Sequence, residues 1–74
     1  MPLVEITIVE GRSLEQKRML MAGVADAVER ALAAPREAIR IAIREIPVEH
    51  WAIGGVSLPE LQAAEAARKA ADET

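Results

Sequence analysis

The tightest constraint on this chain lies in residues 39–45, IRIAIRE. Successive side chains of an extended segment point to opposite faces. Ile39, Ile41 and Ile43 therefore share one face, and Arg40, Ala42 and Arg44 share the other. Residues 3–9, LVEITIV, form a second strand-like run rich in β-branched residues. Here Val4, Ile6 and Ile8 fall on one side, Leu3 and Val9 on the other. A strand apolar on both faces belongs in a sheet covered on both sides. A chain of 74 residues is too short to supply two covering layers, so neighbouring copies are expected to contribute.

Between these runs the spacing predicts a helix. Gly11 breaks the first strand, and Ser13 with Gln16 makes the S-x-x-Q pattern of a capping box. Leu20, Val24, Ala27, Val28, Ala31 and Leu32 then recur at helical steps and form one apolar stripe. Glu15, Lys17, Arg18, Asp26, Glu29 and Arg30 are assigned to the wet side. Ala34-Pro35 is the expected stop, because a residue before proline disfavours helical dihedrals. Strand, helix and strand make a βαβ unit with parallel strands and a right-handed crossover, an α+β (α/β) protomer. The Ile face of residues 39–43 should meet the helix stripe. That leaves Arg40 on the opposite face, where a charge needs solvent, a partner or a ligand.

Beyond Pro47, paired Gly54-Gly55 marks a turn or short hairpin. Ser57, Pro59 and Glu60 open a C-terminal helix in the manner of a second capping box. Its body, LQAAEAARKAADET, is alanine-rich and only weakly amphipathic, suited to docking on a neighbour or fraying. Residues 1–74 read as a single domain, with a core over 2–55 and a helical tail over 56–74.

Half of the residues are apolar, yet Trp51 is the one aromatic and cysteine is absent. A core of aliphatic side chains in so short a chain is marginal alone. Disulfides and thiolate metal sites are excluded as staples, so oligomerisation is the expected support. The net charge of −3 is mixed along the chain and leaves no basic stripe for nucleic acid. No apolar run reaches membrane-spanning length and no signal pattern opens the chain. A cytoplasmic protein is expected.

Common catalytic devices find no footing. There is no G-x-G-x-x-G, P-loop or nucleophile elbow. His50 stands alone without metal-ligand spacing, and it reads as exposed and structural. Glu5, Asp26 and Glu45 suggest no two-carboxylate mechanism. Neither cofactor nor metal is expected. Pro2 remains: once Met1 is removed, it carries a free secondary amine. To act as a base near neutral pH that amine must be uncharged, and burial or nearby cations favour the uncharged form. A depression of about two pKa units needs roughly 2.7 kcal/mol, within reach of a dry pocket holding one or two arginines. Trp51 can keep such a pocket dry. Arg12 and Arg40 can hold carboxylates through paired hydrogen bonds and stabilise an enolate oxygen.

These residues also carry a resemblance. P-L-V-x-I-x-I-V-E-G-R-S, E-Q-K, A-P, R-I-x-I-x-E and H-W-x-I-G-G, running from Pro2 to about Gly55, closely resemble the 4-oxalocrotonate tautomerase family. The resemblance implies a tautomerase (MIF-like) architecture, a homo-hexamer built as a trimer of dimers, and sites shared between subunits. It implies a cofactor-free isomerase of aromatic catabolism acting on a small 2-hydroxydienoate or 2-keto acid. By the same resemblance Pro2 shuttles the proton, and Arg12 grips the far carboxylate. Arg40 binds the 2-hydroxy or 2-keto end, and Trp51 forms the apolar wall where the family usually has Phe.

Some positions depart from the pattern. Ala52 stands where the family commonly has Gly, and the tail beyond Gly55 is longer and richer in alanine. Relatives that hydrate acrylates carry an arginine at the position of Val9 and a glutamate near Ile53, so hydration is disfavoured. The alternatives to 2-hydroxymuconate tautomerisation are a tautomerase-fold enzyme for a biosynthetic or decarboxylating reaction, and a non-catalytic oligomeric scaffold.

Overall fold

The computed structural model describes residues 2–72. Met1, on whose removal the amine of Pro2 depends, lies outside them. The elements run β1 (Leu3–Val9), α1 (Leu14–Leu32), β2 (Arg40–Ile46), β3 (Ala52–Ile53), β4 (Val56–Ser57) and α2 (Leu58–Asp72). Single 3₁₀ turns occupy Arg36–Ala38 and Val48–His50. As the strand–helix–strand order predicts, β1 and β2 pair in parallel, with Leu3 opposite Arg40 and Val9 opposite Ile46. One backbone bond extends the ladder at each end. Arg40 N–H donates to the Pro2 carbonyl at 3.0 Å, and Glu10 N–H donates to the Ile46 carbonyl at 2.9 Å.

The start of α1 is the expected capping box. Ser13 Oγ accepts the Gln16 N–H at 3.1 Å, and Gln16 Oε1 accepts the Ser13 N–H at 2.9 Å. Two of the unpaired donors at the helix start are thereby satisfied. The other end differs slightly from expectation. Helix α1 stops at Leu32, and Ala33 turns left-handed at φ 52° before Ala34-Pro35. Arg36 then folds back on the helix, with Nη1 2.5 Å from Asp26 and 3.4 Å from Glu29. The hydrogen bond and charge of Asp26 raise the Arg36 pKa above its ordinary value.

The stripe that α1 lays on the sheet is rotated from the predicted one. Lys17, Met21, Val24, Ala25, Val28 and Glu29 are half-buried, while Leu20, Ala27, Ala31 and Leu32 remain exposed. Only Val24 and Val28 belong to both sets. The helix carries apolar groups on more than one side, and a two-stranded sheet can cover only one of them. Lys17 turns inward because its methylene stem packs while its ammonium finds a partner on β2.

Gly54 and Gly55, with φ 61° and 84°, close a two-residue β3–β4 hairpin. Positive φ at both central positions is what a type I′ turn demands and what glycine supplies freely. At the head of α2, Ser57 Oγ donates to Glu60 Oε1 at 2.7 Å. The expected capping box is therefore replaced by a bond between the two side chains. Leu58 N–H donates to the Trp51 carbonyl at 2.7 Å, which ties α2 to the loop after β2.

No described residue is buried. Leu3 is 60 % exposed, Met19 69 % and Ile53 62 %. The radius of gyration is 17.7 Å, against roughly 11 Å for a compact chain of this length. The described chain is thus a set of half-covered surfaces, as the expectation of an assembly requires. No helix among the described residues is long and apolar enough to cross a membrane.

Candidate active site

The four residues singled out from sequence fall into two pairs at opposite ends of the β1–β2 ladder. Pro2 and Arg40 stand at the end where both strands begin. They are joined by the backbone bond already described, and Pro2 is half-buried. Arg40 lies on the sheet face away from α1. One of its five guanidinium donors is engaged, Nη1 donating to the Glu37 carbonyl at 2.6 Å.

Arg12 and Trp51 stand at the other end, just past the ends of β1 and β2. Because the strands are parallel, both loops emerge on the same side. Glu10 straps them together: its N–H donates to Ile46, and its Oε1 accepts the Val48 N–H at 3.3 Å. Trp51 is half-buried and closes the 3₁₀ turn through its N–H to the Val48 carbonyl at 3.3 Å. His50, in the same turn, is exposed. Among the described residues no group of three or more His, Asp or Glu side chains is placed to hold a metal ion.

Arg12 borders two recesses. One, of about 220 Å³, lies beneath the start of α1 and is lined by Ile8, Arg12, Gln16, Lys17 and Leu20. The other, of about 420 Å³, lies between the β1–α1 loop and α2. Among the described residues Arg12 has no acidic partner, so its planar fork of donors is open to a carboxylate. Lys17 also faces the first recess, but Glu45 Oε1 holds its ammonium at 2.7 Å.

The seven residues of β1 separate the two pairs, a span of about 20 Å at the rise of a strand. No small acid bridges that distance. Pro2 and Arg12 of one chain therefore cannot meet the same small substrate. Sequence reading named the four residues but missed Glu10, the strap between the Arg12 and Trp51 loops. Its sign was an acidic side chain immediately after β1, one residue before a glycine with φ 125°.

The family model described as "Tautomerase enzyme" matches residues 2–60. The 2-hydroxymuconate tautomerase of Stutzerimonas stutzeri is 47 % identical over 57 residues, covering 77 % of this chain and 90 % of the relative. Among solved structures, TomN is described as a 4-oxalocrotonate tautomerase homologue in the tomaymycin biosynthetic pathway. It superposes with a TM-score of 0.81 and 37 % identity, over 84 % of this chain and 95 % of TomN. A heterohexamer 4-oxalocrotonate tautomerase from Chloroflexus aurantiacus gives a TM-score of 0.78 and 43 % identity, over 82 % of this chain and 98 % of its own. With the match reaching from Pro2 across both halves of the site, the chain belongs to the tautomerase family of isomerases.

Proposed function

We propose that this protein is a cofactor-free 2-hydroxymuconate-type tautomerase whose base is the amine of Pro2, freed by removal of Met1. The neutral amine takes the 2-hydroxyl proton of a 2-hydroxydienoate. The C2–O bond becomes a carbonyl, and the electron pair moves along the diene to C3 or C5. That carbon takes the proton back from the prolinium, so atoms and charge balance without a co-reactant. The Arg40 guanidinium draws electron density toward the 2-oxygen, and Arg12 of another chain grips the distal carboxylate. Trp51, arriving with Arg12, excludes water and disfavours the charged amine. The half-sites support assembly as a homo-hexamer, a trimer of dimers, and a hexameric relative is in keeping with six chains; the reading includes a place in the cytoplasm and in aromatic catabolism.

One observation carries this reading: Pro2 and Arg40 are neighbours at one end of the ladder while Arg12, without an acidic partner among the described residues, stands at the other. The experiment is a continuous ultraviolet assay with 2-hydroxymuconate, preceded by intact-mass measurement of the purified protein. The mature chain is expected to lack Met1, and Pro2→Ala is expected to lower kcat/KM by a factor on the order of 10² or more. Retained Met1 in an active protein, or an equal rate for Pro2→Ala, would remove the proposed base.

A second reading has support of its own. Trp51 makes a bulkier wall than the Phe usual in the family, Ala52 follows it, and TomN serves a biosynthetic pathway. A bulkier or aryl-substituted enol acid turned over better than 2-hydroxymuconate would favour that version.

A further inference from the structure

The larger recess beside Arg12 includes one lining residue, Gln62, that lies beyond the family match. It is lined by Val9, Glu10, Gly11, Arg12 and Val48 from the strand ends, and by Leu58 and Gln62 from α2. The family match ends at residue 60. Leu58 and Gln62, four residues apart, share one face of α2, and α2 is fixed there by the bond from Leu58 N–H to the Trp51 carbonyl. The tail therefore delivers one polar side chain to the groove occupied by Arg12.

The charges in the groove narrow what that side chain can do. Among the described residues that line it, Arg12 is the one cation and Glu10 the one anion. Glu10 is turned onto the Val48 amide at 3.3 Å. Gln62 is neutral, and it offers two N–H donors and a carbonyl acceptor. Beside a guanidinium that already attracts a carboxylate, the amide adds a donor to the second carboxylate oxygen without adding charge. About 420 Å³ admits the end of a small acid.

We infer that Gln62 is a specificity-determining residue of this tautomerase, donating from its side-chain amide to the distal carboxylate that Arg12 grips. The inference rests on the role proposed for Arg12. It gives the extended C-terminal helix a part in substrate choice.

The test compares 2-hydroxymuconate with 2-hydroxypenta-2,4-dienoate, which lacks the distal carboxylate, in wild type, Gln62→Ala, Gln62→Glu and Arg12→Ala. Position 62 is exposed, and both replacements are good helix formers. Circular dichroism and assembly size check that each variant folds. Gln62→Ala is expected to raise KM for the dicarboxylate about tenfold, the scale of one hydrogen bond to a charged group. The change should fall in KM more than in kcat, with little effect on the monocarboxylate. Gln62→Glu should raise the dicarboxylate KM further, because a second carboxylate then faces the substrate's own. An unmoved ratio of the two KM values in both Gln62 variants, with Arg12→Ala still lowering the dicarboxylate preference, overturns the role of Gln62 alone. A ratio unmoved by Arg12→Ala as well overturns the underlying reading of Arg12, and this inference falls with it.

Discussion

Lys17 and Glu45 face each other across the gap between α1 and β2, Nζ to Oε1 at 2.7 Å. Their side chains are 22 % and 37 % exposed, so the pair is neither a free surface contact nor a buried one. Partial shielding and a single short bond place its worth near the top of the surface range, about 1 kcal/mol. Glu45→Gln should lower unfolding stability by that amount at low salt and by less at high salt. Lys17→Met, which keeps the packed stem and removes the charge, should cost less than Glu45→Gln. Urea midpoints at a fixed protein concentration decide the order, since in the proposed assembly stability depends on concentration. Equal losses in the two variants would show that the charge left behind matters little.

Ala33 holds a left-handed backbone at the end of α1, with φ 52°. A side chain in that region costs roughly 1 kcal/mol, a penalty glycine escapes. Ala33→Gly should raise stability by about 0.5 kcal/mol once the greater freedom of glycine in the unfolded chain is set against the relief. A fall in the urea midpoint would mean that Ala33 is not strained in solution.

Both features bear on how much of the molecule could be read from its residues. The strands, their parallel pairing and the capping box of α1 were legible because alternation and the Ser13–Gln16 spacing are local signals. The covered side of α1 was not. Periodicity ranks apolar groups, and this helix has apolar groups on several sides; which side is covered depends on where the sheet lies. Lys17 was assigned to water on its charge alone, although Glu45 continues the face of Ile39, Ile41 and Ile43. The left-handed turn at Ala33 had no sign, since alanine there runs against preference and Pro35 marked the boundary two residues late. Pro2, Arg12, Arg40 and Trp51 were legible as chemistry. Their division between the two ends of a 20 Å ladder is a property of topology, which is why the separation emerged only with the parallel pairing.

The pH profile offers a check on the proposed base that does not depend on mutation. The amine works only when uncharged, so kcat/KM should climb with pH through its pKa and then level off. An ordinary α-amino group titrates at about 7.7–8.0. In the proposed site, Trp51 of another chain covering the half-buried Pro2 and an arginine held near its amine would both disfavour the charged form. The acid limb should therefore lie clearly below that range, and it reports the free enzyme. A limb at or above 8 would describe a solvent-exposed terminus, and Pro2 could not then be the tuned base.

The most demanding prediction concerns the partition of the site between chains. At low concentrations of 2-hydroxymuconate, Pro2→Ala and Arg12→Ala should each turn over far more slowly than wild type, because every site in either assembly lacks one component. Unfolding the two together and letting them reassemble makes mixed oligomers. If each site takes Pro2 from one chain and Arg12 from another, random mixing of equal amounts leaves both intact in about a quarter of sites. Activity should return toward that fraction of wild type, and it should depend on co-assembly rather than on mixing the folded variants. A site drawn wholly from one chain cannot behave this way, since each chain carries one lesion or the other wherever it sits. Turnover that stays slow in verified mixed oligomers would therefore place Pro2 and Arg12 on a single chain. That outcome contradicts a separation of about 20 Å along β1, the distance from which the shared site was argued.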